Sequence, residues 1–506
     1  MAASLRHPLS GLVWLAMAVI YLPILPAGAM LLAPAFSLTN WQRLLNDPQL
    51  PQAAVATLVS TLIATLGALF IALLLVSLLW PGKRWRRLTT RLPWLLAIPH
   101  VAFATGALLL FAEGGLFYQV CTVCSPPFDR YGVGLGLTLA VKESAFVLWA
   151  IYAVLPEKRL AQQKIVLQTL GYGRFQTLSW LILPAIAPVL GAVMLAVLAW
   201  SLSVVDVAIV LGPGNPPTLA WQWLSQGDAQ QQAKGTLLCL LLLLLLAALA
   251  ALGYGLWKAW VRTLADLSGT RPRSQRVLPE RALSGFLPAC GVLCAAVLLM
   301  LAQRDDVGPV GSSLSFGLLS SLTGLVVGLL WLEWGPQRGA LWVWLPLALP
   351  ALPLVTGQYA IALHLGVDGH YAAVVWSHLL WVLPWMLLVL QPAWRRIDPR
   401  LILTARTLGW RRTKIFLLLK CPLLVRPALL AFATGFSVSM AQYMPTLWLG
   451  AGRFATLTTE TVALSSGGSI PILANRALGL LLVTGSVFGA AALLSRLVGR
   501  YRQGLR

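Results

Sequence analysis

Charge is scarce in this sequence, and negative charge is the scarcest. Only 10 % of the 506 residues are charged, whereas soluble domains carry about 25 %. The 15 acidic residues are scattered, with no HExxH motif and no pair of carboxylates spaced along one helix face. Because 58 % of the residues are hydrophobic, the composition excludes an ordinary soluble protein and argues against a membrane-embedded enzyme.

A nucleotide-binding motif is also missing. The pattern GxxxxGK followed by Ser or Thr does not occur, and the nearest fragment, Pro81-Gly82-Lys83-Arg84, lacks both the first Gly and the hydroxyl that would bind magnesium. We therefore expect no cofactor in this chain and no ATP hydrolysis by it.

Cysteine is rare, and only one pair has a suggestive spacing. Cys121 and Cys124 form CTVC in a predicted outer loop. A single CxxC without a second pair or a nearby His is a poor zinc signal. The sequence predicts no metal site and leaves open whether the two thiols form a disulfide.

Long apolar runs are abundant. A bilayer core of about 30 Å needs roughly 20 helical residues, and twelve segments are long enough. Their continuous apolar character favours helices over a barrel. The predicted spans are 11–34, 53–80, 92–112, 133–155, 185–211, 235–260, 283–302, 315–334, 340–364, 372–391, 423–449 and 475–497.

The 37 Lys and Arg are unevenly placed along the chain. If the amino terminus lies inside, most of them fall in loops on that side, as the positive-inside rule requires. We therefore expect a bacterial cytoplasmic (inner) membrane protein with both termini in the cytoplasm. The net charge of +22 then indicates contact with anionic lipid rather than with nucleic acid. The basic clusters are residues 83–91, 262–281, 395–420 and 496–506.

The sequence repeats internally. Residues 170–184, LGYGRFQTLSWLILP, match residues 408–422, LGWRRTKIFLLLKCP, and the same separation of 238 residues aligns Ser201 with Ser439. An even number of spans in each half gives both copies the same orientation, a parallel repeat. The predicted organisation is a first six-span repeat over 1–262, a cytoplasmic linker over 263–282 and a second six-span repeat over 283–506.

Both copies of the repeated stretch follow the fourth predicted span of their half. A helix-start signal precedes each copy, most clearly at Asp398. Gly171 and Gly409 permit a tight reversal after a short helix, and Pro184 and Pro422 are expected to begin the next span. The pattern predicts a compact helix-turn-helix projecting from the membrane in each half.

These two stretches resemble the cytoplasmic loops of the permease subunits of binding-protein-dependent ABC importers of the type I architecture. The loop of that family reads Glu-Ala-Ala, three residues, Gly, and Leu-Pro thirteen residues after the Gly. The second copy looks especially similar to the fused iron(III) and thiamine permeases. The resemblance implies an all-α polytopic membrane fold of about twelve transmembrane helices in two parallel six-helix repeats.

The resemblance also implies partners and coupling residues. Two copies of a separate cytoplasmic ABC ATPase, which bind ATP and magnesium, would dock on the loops, and an extracytoplasmic solute-binding protein would deliver the solute. The Glu-Ala-Ala positions are Ile-Val-Leu at 165–167 and Leu-Thr-Ala at 403–405, so an apolar helix face would fill a hydrophobic groove of the ATPase. The residues assigned to coupling are Gly171, Pro184, Ala405, Gly409 and Pro422.

Polar side chains at membrane depth are costly and mark functional positions. In the permease family the fifth span of each half lines the interface between halves. The candidates for the translocation path are therefore Ser201, Ser203, Asp206, Ser437, Ser439 and Gln442. A packing role is the alternative for the serines, because their hydroxyls often bond back to the helix. Lys142 and Glu143 could pair with other groups, while His100 and His378 are typical of packing residues.

A twelve-span secondary transporter driven by an ion gradient is the main alternative function. That class carries its signature loop between the second and third spans, with an acidic residue, whereas residues 81–91 contain none. A scaffold without transport would leave the repeated stretch unexplained. The sequence does not identify the solute.

Overall fold

The computed structural model describes residues 8–112, 115–121, 131–155, 158–211, 218–226, 228–266, 280–303, 308–336 and 340–501. Helices connected by short turns make up these residues, and no strand occurs among them. The predicted all-α fold is confirmed. Most of the predicted linker and Cys124 lie outside the described residues, while Cys121 is disulfide-bonded.

Fourteen α-helices form the described part of the first half. They are α1 (Pro8–Tyr21), α2 (Ile24–Leu32), α3 (Leu38–Leu45), α4 (Leu50–Leu79), α5 (Lys83–Ala97), α6 (His100–Phe111), α7 (Leu116–Val120), α8 (Val133–Val154), α9 (Lys158–Thr169), α10 (Arg174–Thr177), α11 (Leu183–Ser203), α12 (Asp206–Leu211), α13 (Leu219–Ser225) and α14 (Ala229–Asp266).

Twelve α-helices form the described part of the second half. They are α15 (Glu280–Leu301), α16 (Val310–Trp334), α17 (Leu345–Ala348), α18 (Ala351–Leu365), α19 (Tyr371–Arg395), α20 (Pro399–Thr407), α21 (Arg412–Ile415), α22 (Cys421–Leu423), α23 (Val425–Met440), α24 (Met444–Leu449), α25 (Leu457–Ser465) and α26 (Ile470–Tyr501). Short 3₁₀ turns at Ala33–Phe36 and Leu341–Trp344 complete the chain path.

Nine helices in the described residues are long and apolar enough to cross a membrane, or up to twelve if each sharply bent pair is one span. The predicted spans 92–112 and 340–364 are not single helices. The helix axis turns by 91° between α5 and α6, and by 109° between the segment Leu341–Ala348, which includes α17, and α18. Both breaks precede a proline, Pro99 or Pro350, which pushes Ile98 or Leu349 out of the helical conformation.

Small residues set the closest helix packing. A Cβ atom added to Gly67 of α4 would lie 2.7 Å from the Cβ of Ala140 in α8, and one added to Gly435 of α23 would lie 2.8 Å from Met386 in α19. Lipid tails are as apolar as leucine, so membrane helices associate through close contacts of this kind. Close contacts of this kind join α4 to α8 in the first half and α19 to α23 in the second.

Two ion-pair clusters join elements distant in sequence. Glu333, at the end of α16, is 4 % exposed and accepts from Arg412 at 2.7 Å and from Lys420. Glu280, at the start of α15, accepts from Arg84 and Arg174 at 2.7 Å each, and all three side chains are about one-third exposed. The two clusters have similar chemistry but differ in burial.

Replacing Glu333 by Gln is expected to destabilise the protein more than replacing Glu280 by Gln. Loss of a fully buried partner costs about 3–5 kcal/mol, and the 39 % exposure of Arg412 reduces this to about 2–3 kcal/mol. The more exposed Glu280 cluster should contribute about 1 kcal/mol or less. The midpoint of thermal unfolding in detergent, followed by tryptophan fluorescence, measures both changes. Equal losses would contradict the assignment.

Candidate functional site

The two repeated stretches adopt the same turn. Loop A is defined as residues 158–184 and loop B as residues 396–422. After α9, Gly171 has φ +85°, its N–H donates to the carbonyl of Gln168, and the next N–H donates to the carbonyl of Leu167. After α20, Gly409 has φ +74° and the same two hydrogen bonds recur, to Arg406 and Ala405. Each is a Schellman turn, which favours glycine at the left-handed position.

Helices resume after each turn earlier than the sequence predicted. They begin at Arg174 and Arg412 and pass through π-helical turns at Leu178–Ile182 and Phe416–Lys420. Pro184 and Pro422 lie in the first turns of α11 and α22, which continue directly from the π turns. The residue before each proline bonds five residues back, so the helix widens where the proline nitrogen cannot donate.

The short helix of each loop presents apolar side chains to solvent. Ile165 and Leu403, at equivalent positions, are 58 % and 63 % exposed. Ala405 instead is buried, and its carbonyl accepts the Trp410 N–H of the turn. The side chains offered to a partner are thus apolar ones, and Ala405 supports the turn.

Loop A is anchored to α4 by a buried lysine. The Lys164 ammonium donates to the carbonyl of Trp80 and lies 5.3 Å from the centre of the Trp80 ring. Burial, and to a smaller extent the nearby Arg174, lower the pKa of Lys164 to about 8 against the opposing effect of Glu280. Loop B is anchored by the Glu333 cluster described above.

A cavity of about 210 Å³ lies where four chain breaks meet. The α5–α6 and α11–α12 breaks come from the first half, and the α17–α18 and α23–α24 breaks come from the second. The Ala351 N–H, at one break, donates to the Ser203 hydroxyl, at another, over 3.3 Å. The cavity therefore lies between the two halves of the chain.

Four of the six predicted path residues line this cavity. They are Ser203, Asp206, Ser437 and Gln442. Ser439 does not line it, because its hydroxyl is 2.7 Å from Nδ1 of His378, whose Nε2 lies 2.9 Å from the Thr446 hydroxyl. This buried His378 has the packing role expected from the sequence. Ser201 is also away from the cavity, and its buried hydroxyl has no hydrogen-bond partner in the described part of the chain.

Several cavity residues were not assigned to the path from the sequence. Nε2 of His100 lies 2.7 Å from the Glu143 carboxylate, and the neighbouring Lys142 donates to the carbonyl of Leu95 over 2.8 Å. These contacts join α6 and α5 to α8, across more than forty residues of sequence. The aromatic lining was also missed, since Trp is common throughout this chain and no spacing marks the residues concerned, namely Trp200, Trp381, Trp385 and Tyr443.

Comparison with known proteins identifies a full-length relative. No family profile and no solved structure match the chain. The chain is 61 % identical to the inner membrane ABC transporter permease protein YnjC of Escherichia coli (strain K12). The alignment spans 511 residues and covers 100 % of both chains. This similarity favours a permease over the secondary transporter, and the long apolar helices fit a protein of the inner membrane. The chain belongs to the inner membrane ABC transporter permeases.

Proposed function

We propose that this chain is the membrane subunit of a binding-protein-dependent ABC importer of type I, similar to the fused iron(III) and thiamine permeases, with both halves of the permease in one chain. Residues 1–262 and 283–506 would be parallel six-span repeats, joined by the linker 263–282 in the cytoplasm with both termini. The observation that carries the proposal is the matched geometry of loops A and B. One ATPase subunit would dock on each loop.

The chemistry of the loops supports a role in coupling. Each presents a short helix with exposed apolar side chains, such as Ile165 in loop A and Leu403 in loop B, which suits a hydrophobic groove on a partner. Each is also anchored, through Lys164 or Arg412, to the end of a long helix. A displacement of the partner would therefore reach the helices that surround the cavity.

The energy source would lie outside this chain. ATP and magnesium would bind to the ATPase partners, since the sequence has no nucleotide-binding motif. Closure of the two ATPase subunits would move the two halves, and the cavity between them would open alternately to each side. A solute-binding protein outside the cytoplasm would supply the solute. The coupling residues are Gly171, Pro184, Ala405, Gly409 and Pro422, and the path residues include Ser203, Asp206, Ser437 and Gln442.

Transport is expected to require ATP. The test uses proteoliposomes that contain the permease with the ATPase encoded beside its gene, and the solute retained by the neighbouring binding protein. Accumulation of radiolabelled solute should need ATP on the ATPase side and should persist after a protonophore collapses the proton gradient. Uptake without ATP, driven by an imposed ion gradient, would refute the proposal.

Replacing both turn glycines by tryptophan is expected to uncouple transport. A Cβ at Gly171 or Gly409 meets nothing within 4 Å, so the folded core should tolerate the change. The left-handed turn costs about 1–2 kcal/mol for a non-glycine residue, and the indole would obstruct docking. The Gly171→Trp, Gly409→Trp variant should bind the ATPase about tenfold or more weakly in co-purification.

A double Gly171→Asn, Gly409→Asn variant provides the control. Asparagine adopts the left-handed conformation more readily than other non-glycine residues, so this variant should retain ATPase binding and transport. Unimpaired assembly and transport in the double tryptophan variant would exclude the coupling role of both turns.

A further inference from the structure

The cavity wall carries more negative than positive charge. Glu143 and Asp206 are each 5 % exposed and Lys142 is 7 % exposed, and all three line the cavity. The Lys142 ammonium is already bonded to the carbonyl of Leu95 in the last turn of α5, where cations are favoured by the helix dipole. Two buried carboxylates thus line the cavity with one ammonium, which is bonded to a backbone carbonyl.

Asp206 is the carboxylate that most needs a positive partner. Its carboxylate accepts from its own backbone N–H and from that of Val207, and its electrostatic neighbours are His100 and Tyr443. Its side chain has no ion pair with Lys or Arg within the described residues. His100 itself is bonded to Glu143. A buried charge without a full partner is costly, and a cation in the cavity would supply that partner.

Aromatic rings form much of the remaining wall. Trp200, Trp381, Trp385 and Tyr443 line the cavity together with Phe146. The Trp385 and Phe146 rings meet edge to face, with centroids 4.9 Å apart, and the Trp200 ring lies 5.3 Å from that of His100. Indole and phenol faces attract cations, most strongly where water is excluded.

The volume limits the size of a ligand. At about 210 Å³ the cavity is smaller than the roughly 300–1,000 Å³ of sites for drug-sized ligands. An anion would face two buried carboxylates, and a neutral apolar ligand would leave those carboxylates without a partner. A compact organic cation satisfies both the carboxylates and the aromatic faces.

We infer that this cavity is a solute-binding site of the permease itself and that its ligand is a small organic cation, an ammonium compound held by Asp206 and by the faces of Trp200 and Trp381. The inference rests on the proposed transport function. In that function the cavity would hold the solute on its way across the membrane. It assigns selectivity to the membrane subunit as well as to the binding protein.

Choline and its neutral isostere 3,3-dimethyl-1-butanol provide the test, because they match in size and differ in charge. Isothermal titration of the purified full-length permease in detergent, without ATPase, should show saturable choline binding. The neutral isostere should bind at least about tenfold more weakly, from the loss of the cation–π and carboxylate interactions. Choline should also raise the midpoint of thermal unfolding.

Two variants locate the binding site. Asp206→Asn and Trp381→Leu should each weaken choline binding, by about tenfold or more for the first and about threefold or more for the second. The controls carry the same chemical changes away from the cavity, Asp228→Asn at the exposed start of α14 and Trp376→Leu on the same helix as Trp381, and both should bind choline as the original protein does. The unfolding midpoint without ligand shows that each variant is folded, and Asp206→Asn should not lower it.

Three results would overturn the inference: no saturable choline binding, equal binding of choline and its isostere, or unchanged choline affinity in a folded Asp206→Asn variant. The assay contains no ATPase and no nucleotide. A failure of coupling through loops A and B would therefore leave choline binding intact, and a failure of choline binding would leave ATP-dependent transport of another solute intact.

Discussion

Backbone hydrogen bonding in a bilayer constrains this structure more than any other interaction. Lipid offers no partner to an unpaired N–H or C=O group, so irregular backbone at membrane depth is tolerated only where protein or a water-filled cavity satisfies it. Four helix interruptions line one cavity. The Ala351 N–H at one interruption donates to the Ser203 hydroxyl at another, so a side chain of the first half satisfies a backbone group of the second.

The same helices connect the cavity to the loops. The helix that starts at Arg174 in loop A continues to Ser203 at the cavity, 30 residues or about 45 Å at the usual rise. Its counterpart from loop B bends by 78° before α23. A push on loop A would therefore travel along one nearly continuous helix, whereas a push on loop B must pass through a bend. The two loops share a turn but are joined to the cavity differently.

Local patterns in the sequence predicted much of the fold. The apolar runs identified all the long helices, because hydrophobicity along a span is a local property, and the glycines of the two turns were identified because a left-handed position selects glycine. The breaks at Pro99 and Pro350 were missed. Hydropathy does not indicate the direction of the helix axis, and a broken span is as apolar as a straight one. The Glu143 contact with His100 was also out of reach, because it depends on how helices pack.

Equivalent positions in the two halves line the cavity with different side chains. The separation of 238 residues that aligns loops A and B also aligns Glu143 with Trp381 and Asp206 with Met444, and all four line the cavity. Equivalent positions thus face the same space in both halves, which supports the proposed repeat, but the first half supplies carboxylates where the second supplies an aromatic and an apolar side chain. A symmetric pore would need no such difference. Both carboxylates of the cavity belong to the first half, so the positive group of the ligand inferred above would lie on that side of the cavity.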